Sequence, residues 1–454
     1  MPCRAQQRMK QLHFNDKGHN YSIFFINHTK IQKEIVMTKP IDSTFIQIIH
    51  PVCCGLDVHK DKISACLITL DENGQEQYEL REFTAFTKDL LEMKKWLIEN
   101  DCPILAMEST GVYWRPVHNI VEGVMEVILV NARHIKNVPG RKTDISDSKW
   151  LAGLLRHGLL RGSFIPPEKI REWRELTRLR KTYTESLADY KRRIHKIFIT
   201  ANIKIDSVVS DLFGLTGRNL IGLLCGEAEL TIENVQKCTK GTLKKKASEL
   251  FDSLQGFFKD HHRFQLIGMM ETISAFEKRI DEINERLDLL TKEHQSLLDR
   301  LDEIPGINKK SAQAVLSEIG VTLDEFICMS AFMSWAGLCP GNNESAGKRK
   351  NGRNGVRNHP LKTILVQAAW AAIKTKGSYY KAKYYKLKAR RGAKKAIVAI
   401  AHKIGKAVFN IIKHGDTYRD LGEDYLIAPN KQKILRNLNK RAKEMGLKLV
   451  PCEV

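Results

Sequence analysis

Short apolar runs alternate with amphipathic stretches between residues 52 and 160, and this alternation limits the possible folds more than any other feature of the sequence. Helical periodicity covers 87–100 and about 144–160, and a further helical stretch precedes the last strand. Five segments have the length and composition of strands, and they are 52–56, 63–70, 78–86, 103–107 and 124–130. A hairpin-like turn at 71–74 joins the second strand to the third. This order predicts an α/β domain with a mixed sheet.

A proline pair, Pro166-Pro167, ends this region, and the residues beyond it have mainly helical periodicity. One apolar face predicts a long helix over 168–200. Apolar residues recur every seven positions over 273–301, which predicts a coiled-coil helix roughly 43 Å long. The heptad pattern leaves the partner of this helix open. Pairing with the 168–200 helix of the same chain is the simpler interpretation, and dimerisation with a second copy is the alternative.

The remaining segments are less regular. Ile304-Pro305-Gly306-Ile307 has the pattern of a helix-hairpin-helix, whose glycine turn presents N–H groups to a phosphate, and a plain packing unit of two helices fits equally well. Residues 416–454 predict a polar tail with one short helix. Residues 1–50 have no clean period, so we expect an extension that is not native, with Met37 as the natural start, or else a flexible basic arm.

Positive charge is concentrated in one part of the chain. The 454 residues carry a net charge of +22, and residues 341–406 hold eighteen Lys or Arg and one acid, Glu344. A field of this strength attracts a polyanion, because each neutralised phosphate releases counterions. A solvated lysine-rich surface is the weaker alternative. Four tyrosines among these lysines predict either base stacking or helix core, and they are Tyr379, Tyr380, Tyr384 and Tyr385.

The composition also excludes several classes of protein. The longest apolar stretch, 364–373, is too short to span a bilayer, and no secretion-signal pattern follows Met1. The ten cysteines never form a Cys-x-x-Cys pair, which argues against a zinc ribbon or a thioredoxin motif. We therefore expect a cytoplasmic protein with reduced thiols.

Four carboxylates in the predicted α/β domain suit a metal site. Asp57 and Glu108 each stand at the end of a predicted strand, and Asp144 and Asp147 are three residues apart on a predicted helix. Four acids at one rim would repel each other unless a cation lay among them, and magnesium prefers such ligands. Taken singly, each acid fits a helix cap, a first-turn position or a salt bridge better. Taken together, they favour a metal-dependent phosphoryl-transfer site.

A glycine-rich segment at 338–355 brings cations and one serine, Ser345, close together in sequence. Glycines let a backbone approach a phosphate, and cations hold it; the cations of this segment are Lys348, Arg349, Lys350 and Arg353. A serine in such a loop is usually a turn residue. It can also attack phosphorus when cations or metals lower the charge barrier.

Four motifs together resemble the DEDD transposases of the insertion sequence one-ten family. They are Gly55-Leu-Asp57-Val-His-Lys60, Glu108-Ser-Thr-Gly-Val-Tyr-Trp114, Lys142-Thr-Asp144-Ile-Ser-Asp147 and Gly337-Leu-Cys-Pro-Gly-Asn-Asn-Glu-Ser345-Ala-Gly-Lys348. The motifs occur in the family's order, and the resemblance covers nearly everything from about residue 50 to 415. The region before Met37 matches nothing in the family.

The resemblance implies an RNase H-like (RuvC-type) domain at 51–165, a helical and coiled-coil region at 166–300 and a C-terminal transposase domain at 301–415. It implies that Asp57, Glu108, Asp144 and Asp147 hold two Mg²⁺ ions and that Ser345 is the nucleophile. The nearby cations expected to bind nucleic acid are Lys348, Arg349, Lys350, Arg353 and Arg357. The implied partners are DNA (the element ends and the target), a structured guide RNA and further copies of the chain, because the family's active sites combine the acids of one subunit with the serine of another.

Two other functions remain open on the residues alone. A RuvC-type junction-resolving endonuclease would use the acids to direct water, with Ser345 structural. A non-catalytic nucleic-acid-binding protein would use only the basic surface.

Overall fold

Alternating apolar residues in the N-terminal part of the chain form one five-stranded sheet covered by helices on both faces. The structure of the protein, a computed structural model, describes residues 11–16, 19–24, 47–109, 111–131, 147–340, 343–345, 348–351, 359–448 and 450. The chain divides into two compact units, Met1–Ile165 and Pro166–Val454.

The first unit contains the sheet. Its strands are β1 (Gln11–Asp16), β2 (His19–Phe24), β3 (Cys53–Val58), β4 (Lys62–Leu70), β5 (Glu76–Thr84), β6 (Ile104–Glu108) and β7 (Glu126–Val130), and its helices are α1 (Thr87–Glu99), α2 (Trp114–Val121) and α3 (Asp147–Arg156). The sheet order is β5-β4-β3-β6-β7. Strands β3, β4 and β5 are antiparallel neighbours, whereas β6 is parallel to both β3 and β7. The predicted α/β domain with a mixed sheet is confirmed.

A short polar turn joins β4 to β5 where the sequence predicts it. The carboxylate of Asp71 accepts hydrogen bonds from the backbone N–H groups of Asn73 and Gln75, at 2.9 and 2.7 Å. Gly74 completes the turn with φ of +76°, a conformation that glycine adopts without steric cost.

Strands β1 and β2 form an antiparallel hairpin in which Gln11 pairs with Phe24 and Asp16 with His19. The sequence predicts no regular element there. That residues 1–50 are a non-native extension stays a prediction.

The two faces of the sheet bury different helices, because successive side chains of a strand point to opposite sides. Leu56 and Met107 pack with Leu90 of α1 and Val117 of α2 on one face. On the other face, residues of α3 pack against strand residues. The helix contributes Leu151, Ala152 and Leu155, and the strands contribute Cys53, Ile68, Ile104 and Ala106.

The second unit is almost entirely helical. Its helices are α4 (Glu168–Thr200), α5 (Ile205–Val208), α6 (Leu215–Cys225), α7 (Ile232–Cys238), α8 (Ala247–Leu254), α9 (Asp260–Leu290), α10 (Gln295–Asp302), α11 (Lys309–Ile319), α12 (Met329–Trp335), α13 (Pro360–Ala372), α14 (Tyr379–Arg391), α15 (Ala393–His414) and α16 (Asp424–Glu444). Two 3₁₀ turns, Gly241–Lys246 and Lys292–His294, and a short hairpin of β8 (Asn343–Ser345) and β9 (Lys348–Asn351) complete it. Within the described residues, no helix is long and apolar enough to cross a membrane.

Helices α4 and α9 pack side by side, which is the intrachain pairing that the heptad pattern left open. The ring of Phe276 on α9 lies 5.7 Å from Tyr183 and 5.8 Å from Tyr190 of α4. Arg180 of α4 donates a hydrogen bond to Asn284 of α9 at 3.1 Å. Dimerisation through the same heptad stays a prediction.

The predicted continuous helix over 273–301 is wrong at its C-terminal end. Helix α9 stops at Leu290, and the chain continues through a 3₁₀ turn into α10. The fully buried Thr291 donates a hydrogen bond to the carbonyl of Leu287 and contacts Gln313 of α11 at 3.3 Å. The break lets Leu298 and Leu301 enter the core of the C-terminal helices, and this burial overrides the heptad period.

The predicted polar tail at 416–454 is also more structured than expected. Helix α16 has 21 residues, so it is not short. The segment before it is attached to α14, because the carboxylate of Asp420 accepts hydrogen bonds from the N–H groups of Tyr379 and Gly422 at 3.0 and 2.8 Å. The ring of Tyr425 then packs on Tyr379.

The tyrosines of the basic segment are mostly core residues. Tyr379, Tyr380 and Tyr384 are buried, and only Tyr385, 55% exposed, has a ring open to solvent. Base stacking is therefore excluded for the first three.

The Pro305-Gly306 turn between α10 and α11 packs against protein backbone. Gly306 has φ of +87°, and a Cβ there would lie 2.1 Å from the carbonyl oxygen of Ala368 and 2.7 Å from the nitrogen of Ala372, both in α13. This close approach favours the packing-unit interpretation over a phosphate-binding hairpin.

We expect Gly306→Ala to lower the thermal unfolding midpoint of the protein far more than Gly377→Ala. Both glycines have positive φ, so each substitution costs about 1–2 kcal/mol of backbone strain. Only Gly306→Ala also forces α13 away from the turn, which adds about 1–3 kcal/mol. Differential scanning calorimetry measures both midpoints, and equal shifts would contradict the contact.

Candidate active site

Two predicted acids lie at the same edge of the sheet. Strands β3 and β6 are parallel neighbours, and Leu56 pairs with Met107. Asp57 and Glu108 are the next residue of each strand, so both stand at the carboxyl end of the central strand pair. Polar side chains at this end of parallel strands are available to a ligand outside the sheet.

Both acids also belong to the same face of the sheet. Asp57 alternates with Cys53 and Gly55 along β3, and Glu108 alternates with Ile104 and Ala106 along β6. Because Cys53, Ile104 and Ala106 are buried against α3, the two acids belong to the α3 face.

Gly55 lets α3 lie unusually close to the strand that carries Asp57. A Cβ at Gly55 would lie 2.2 Å from the carbonyl oxygen of Ser148 and 2.4 Å from the nitrogen of Ala152. No other residue type permits this approach. Asp147, the first residue of α3, therefore lies beside β3 on the face that carries Asp57.

Three of the four predicted acids thus come from neighbouring elements on one face of the sheet. Asp147 is exposed, and Asp57 is partly exposed. Asp144 lies outside the described residues. Within the described ranges, no three His, Cys, Asp or Glu side chains form a ready metal-binding group, so convergence of all four acids stays a prediction. Carboxylate oxygens are nonetheless the donors that magnesium prefers.

His59 is a site residue that the sequence analysis missed. Its Nε2 lies 3.2 Å from Oδ2 of Asp57, within hydrogen-bond distance. The signal was present, because His59 follows the strand-end acid by two residues and so returns to the same side of the chain.

The cysteines of the sheet are core residues and not part of this site. Burial raises the pKa of Cys53 to about 12 and that of Cys66 and Cys102 to about 11. Burial also raises the pKa of Cys54 well above its usual value. These four residues remain neutral thiols near neutral pH, which suits neither metal ligation nor nucleophilic attack.

The predicted serine lies in the second unit, in a hairpin rather than a simple loop. Strands β8 and β9 are antiparallel, Ser345 pairs with Lys348, and Glu344 pairs with Arg349. Ser345 is the last residue of β8, and Lys348 is the first residue of β9. Lys350 belongs to β9, and Arg353 and Arg357 lie outside the described residues.

The elements on either side of the hairpin are held together by aromatic packing. The ring of Trp335, the last residue of α12, contacts His359 just before α13, with 4.3 Å between ring centres. Burial lowers the pKa of His359, which keeps its ring neutral near neutral pH. The contact holds the end of α12 close to the beginning of α13, and the Ser345 hairpin lies between these two helices in the sequence.

We expect Gly55→Ala to abolish catalysis, because the added methyl group must displace α3 and with it Asp147. Gly153→Ala, on α3 itself, is the matched control, since a Cβ there meets nothing within 4 Å. Alanine at that helical position should stabilise the protein by about 1 kcal/mol and leave activity intact. Strand-transfer assays and thermal melts measure both effects. Full activity of Gly55→Ala would contradict the role given to the α3–β3 contact.

We expect iodoacetamide at pH 8 to modify the exposed Cys328 faster than four buried cysteines, by a factor of about 100 or more. The buried cysteines are Cys53, Cys54, Cys66 and Cys102, and their raised pKa leaves little thiolate to react. Mass spectrometry of peptides from the native protein measures the rates, and denatured protein, in which every thiol should react, is the control. Rapid modification of Cys53 in the native protein would contradict its burial.

Two family models match the chain. A transposase model of the IS110 DEDD type matches residues 54–201, and a model for the transposase IS116/IS110/IS902 family matches residues 298–386. A comparison with curated proteins finds no match. The two models together cover more than half of the sequence, and they contain β3 with Asp57, α3 with Asp147 and the Ser345 hairpin. The resemblance seen in the four motifs is therefore confirmed, and the chain belongs to the IS110 family of insertion-sequence transposases.

Proposed function

We propose that this transposase cuts and rejoins DNA strands with a DEDD group of acids and a serine nucleophile. The observation that carries the proposal is the placement of Asp57, Glu108 and Asp147 on the α3 face at one edge of the mixed sheet. The same mixed sheet, with helices on both faces, supports an RNase H-like (RuvC-type) fold for the first unit.

The acids are proposed to hold magnesium. Asp57, Glu108, Asp144 and Asp147 offer only carboxylate oxygens, which suit a hard ion that also binds phosphate oxygens. Two ions bound there would stabilise negative charge on the scissile phosphate. His59 would keep the Asp57 carboxylate turned toward the site, since its Nε2 lies 3.2 Å from that group.

Ser345 is proposed to attack phosphorus directly. Its Oγ forms a bond to the scissile phosphorus, and the bond from phosphorus to the leaving strand breaks. A carboxylate of the acid group accepts the serine proton and passes it to the leaving oxygen, so that strand departs as a free hydroxyl. The hydroxyl of a second strand then attacks the phosphoserine and gives its proton, through the same carboxylate, to the departing serine oxygen, which restores a phosphodiester and the serine hydroxyl. Each of these two steps exchanges one phosphoester bond for another, so water does not hydrolyse the phosphodiester.

Cations near Ser345 would hold the phosphates in position. The hairpin brings Lys348 next to Ser345 in register, and Arg349 and Lys350 follow on β9. Arg353 and Arg357 would extend this set. A second basic region lies where α14 meets α15, here called the α14–α15 corner, and its exposed cations are Lys386, Lys388, Arg390, Arg391, Lys394 and Lys395.

A structured guide RNA and oligomerisation are proposed on the family resemblance and the charge. The α14–α15 corner presents six exposed cations, which suit any nucleic-acid backbone. An oligomer would bring the acids of one subunit to the serine of another.

We expect Ser345→Ala to abolish a covalent protein–DNA adduct and Asp57→Asn to reduce it by roughly 100-fold or more, because each removes a group acting at the phosphate. Labelled element-end DNA is incubated with protein, copurified RNA and Mg²⁺, then denatured and separated by electrophoresis. Removing Mg²⁺ with a chelator should also abolish the labelled protein band, and adding Mg²⁺ back should restore it.

The matched controls are Ser330→Ala and Glu92→Gln. Ser330 and Glu92 are exposed, and Glu92 belongs to α1, which packs on the opposite face of the sheet from the acids. Both controls should keep the labelled band. DNA nicking that survives Ser345→Ala without any adduct would instead establish a junction-resolving endonuclease that uses water.

A further inference from the structure

A groove in the second unit is lined by none of the residues assigned above. It lies among α4, α11 and α13 and has a volume of about 790 Å³, within the roughly 300–1,000 Å³ typical of ligand clefts. Its lining carries four cations and two acids, and they are Arg178, Arg180, Lys181, Lys310, Glu185 and Glu318.

A buried guanidinium lies in the wall of this groove. Arg180 is only 8% exposed, and it donates hydrogen bonds to Asn284, Gln313 and the carbonyl of Lys310 at 2.8 to 3.1 Å. All three acceptors are neutral. The carboxylate that acts on Arg180 is Asp288, and Asp288 is itself paired with Lys309 at 2.9 Å. The charge of this wall is therefore only partly balanced.

Further cations outnumber the acids around the groove. Glu318 is buried, and both of its oxygens accept hydrogen bonds from Arg178 at 2.9 Å, while Arg174 lies 3.4 Å away. Lys310 is exposed, and no carboxylate in the described ranges pairs with it. Lys181 contacts Glu185 only at 3.8 Å between exposed side chains, which is a weak pair.

Two helices begin at the groove and add to its positive potential. Asn308 caps α11 by accepting a hydrogen bond from the N–H of Ser311 at 2.9 Å, and Pro360 is the first residue of α13. Helix amino ends favour anions, because their backbone N–H groups and dipoles point outward. Apolar side chains on the remaining wall are Leu187, Ile280, Ala314 and Ile364.

We propose that this groove binds the phosphodiester backbone of a nucleic-acid strand. The inference rests on the proposed function, since it gives that enzyme a phosphate-binding surface whose cations, Arg178, Arg180, Lys181 and Lys310, lie outside the basic segment 341–406. The buried Arg180 and the two helix ends supply fixed positive potential, and Lys181 and Lys310 supply mobile charges at the mouth. The apolar wall offers a surface on which sugars pack.

The test removes the two mobile charges without disturbing buried ion pairs. The double variant Lys181→Gln with Lys310→Gln is titrated by fluorescence anisotropy with a labelled DNA strand and with RNA of the same sequence, at several salt concentrations. If each lysine contacts one phosphate, the slope of log affinity against log salt falls by about 0.7–0.9 per lysine. The double variant Lys196→Gln with Lys278→Gln removes the same charge from exposed positions of α4 and α9 outside the groove lining and should keep the wild-type slope.

A third variant separates binding from folding. Thr363→Glu places a carboxylate in the first turn of α13, where it stabilises the helix but repels a phosphate in the groove. We expect weaker nucleic-acid binding with no loss of thermal stability, even if the lysine double variant fails to fold. Unchanged binding of Thr363→Glu would overturn the proposal.

The outcomes distinguish the ligands and the two proposals. A reduced slope for DNA alone assigns the groove to a DNA strand, and a reduced slope for RNA alone assigns it to the guide. Equal slopes in the groove and control variants overturn the groove proposal, while the Ser345 adduct shows whether the proposed function stands. Wild-type protein that binds neither strand would overturn both.

Discussion

The missing side chain at Gly55 is the constraint on which the candidate site depends. A helix can approach a strand this closely only where no Cβ intervenes, and the backbone of α3 at Ser148 and Ala152 occupies the space that a Cβ would need. The contact lies two residues before Asp57 and one residue after Asp147. It therefore couples two acids from distant parts of the sequence through backbone packing rather than through flexible side chains.

The other end of α3 is attached by a buried charge. Arg156 is 1% exposed, donates a hydrogen bond to the carbonyl of Pro51 at 2.8 Å and has its Nε 3.2 Å from the Glu76 carboxylate. The carbonyl of Arg156 also accepts hydrogen bonds from the N–H groups of Ile49 and His50 at 2.9 and 3.0 Å, so this end of α3 is attached to the segment before β3. Gly55 sets how close α3 lies, and Arg156 sets where it lies along the strands. Acids on elements held in this way are better preorganised than acids on loops.

The sheet could be predicted from the sequence because each strand is a short apolar run bounded by turn residues, and Asp57 and Glu108 could be assigned to strand ends for the same reason. The exact contact of α3 with Gly55 could not be predicted from the sequence. Periodicity shows which face of a helix is buried, but it does not show which residues that face contacts. The prediction of the helix end near Thr291 was wrong for a related reason, and the sequence left base stacking and helix core open for Tyr379, Tyr380 and Tyr384. In each case burial in a core formed by distant residues decided the outcome.

The separation of charge between the two units follows from the chemistry required. Carboxylates that gather cations also repel phosphates, so the acids Asp57, Glu108 and Asp147 do not themselves attract DNA. Most of the chain's positive excess lies in 341–406, within the second unit, beside Ser345. The partly balanced Arg180 wall belongs to that unit as well. Under the proposed mechanism, binding of the polyanion and activation of the phosphate belong to different units, and both units must act on one strand.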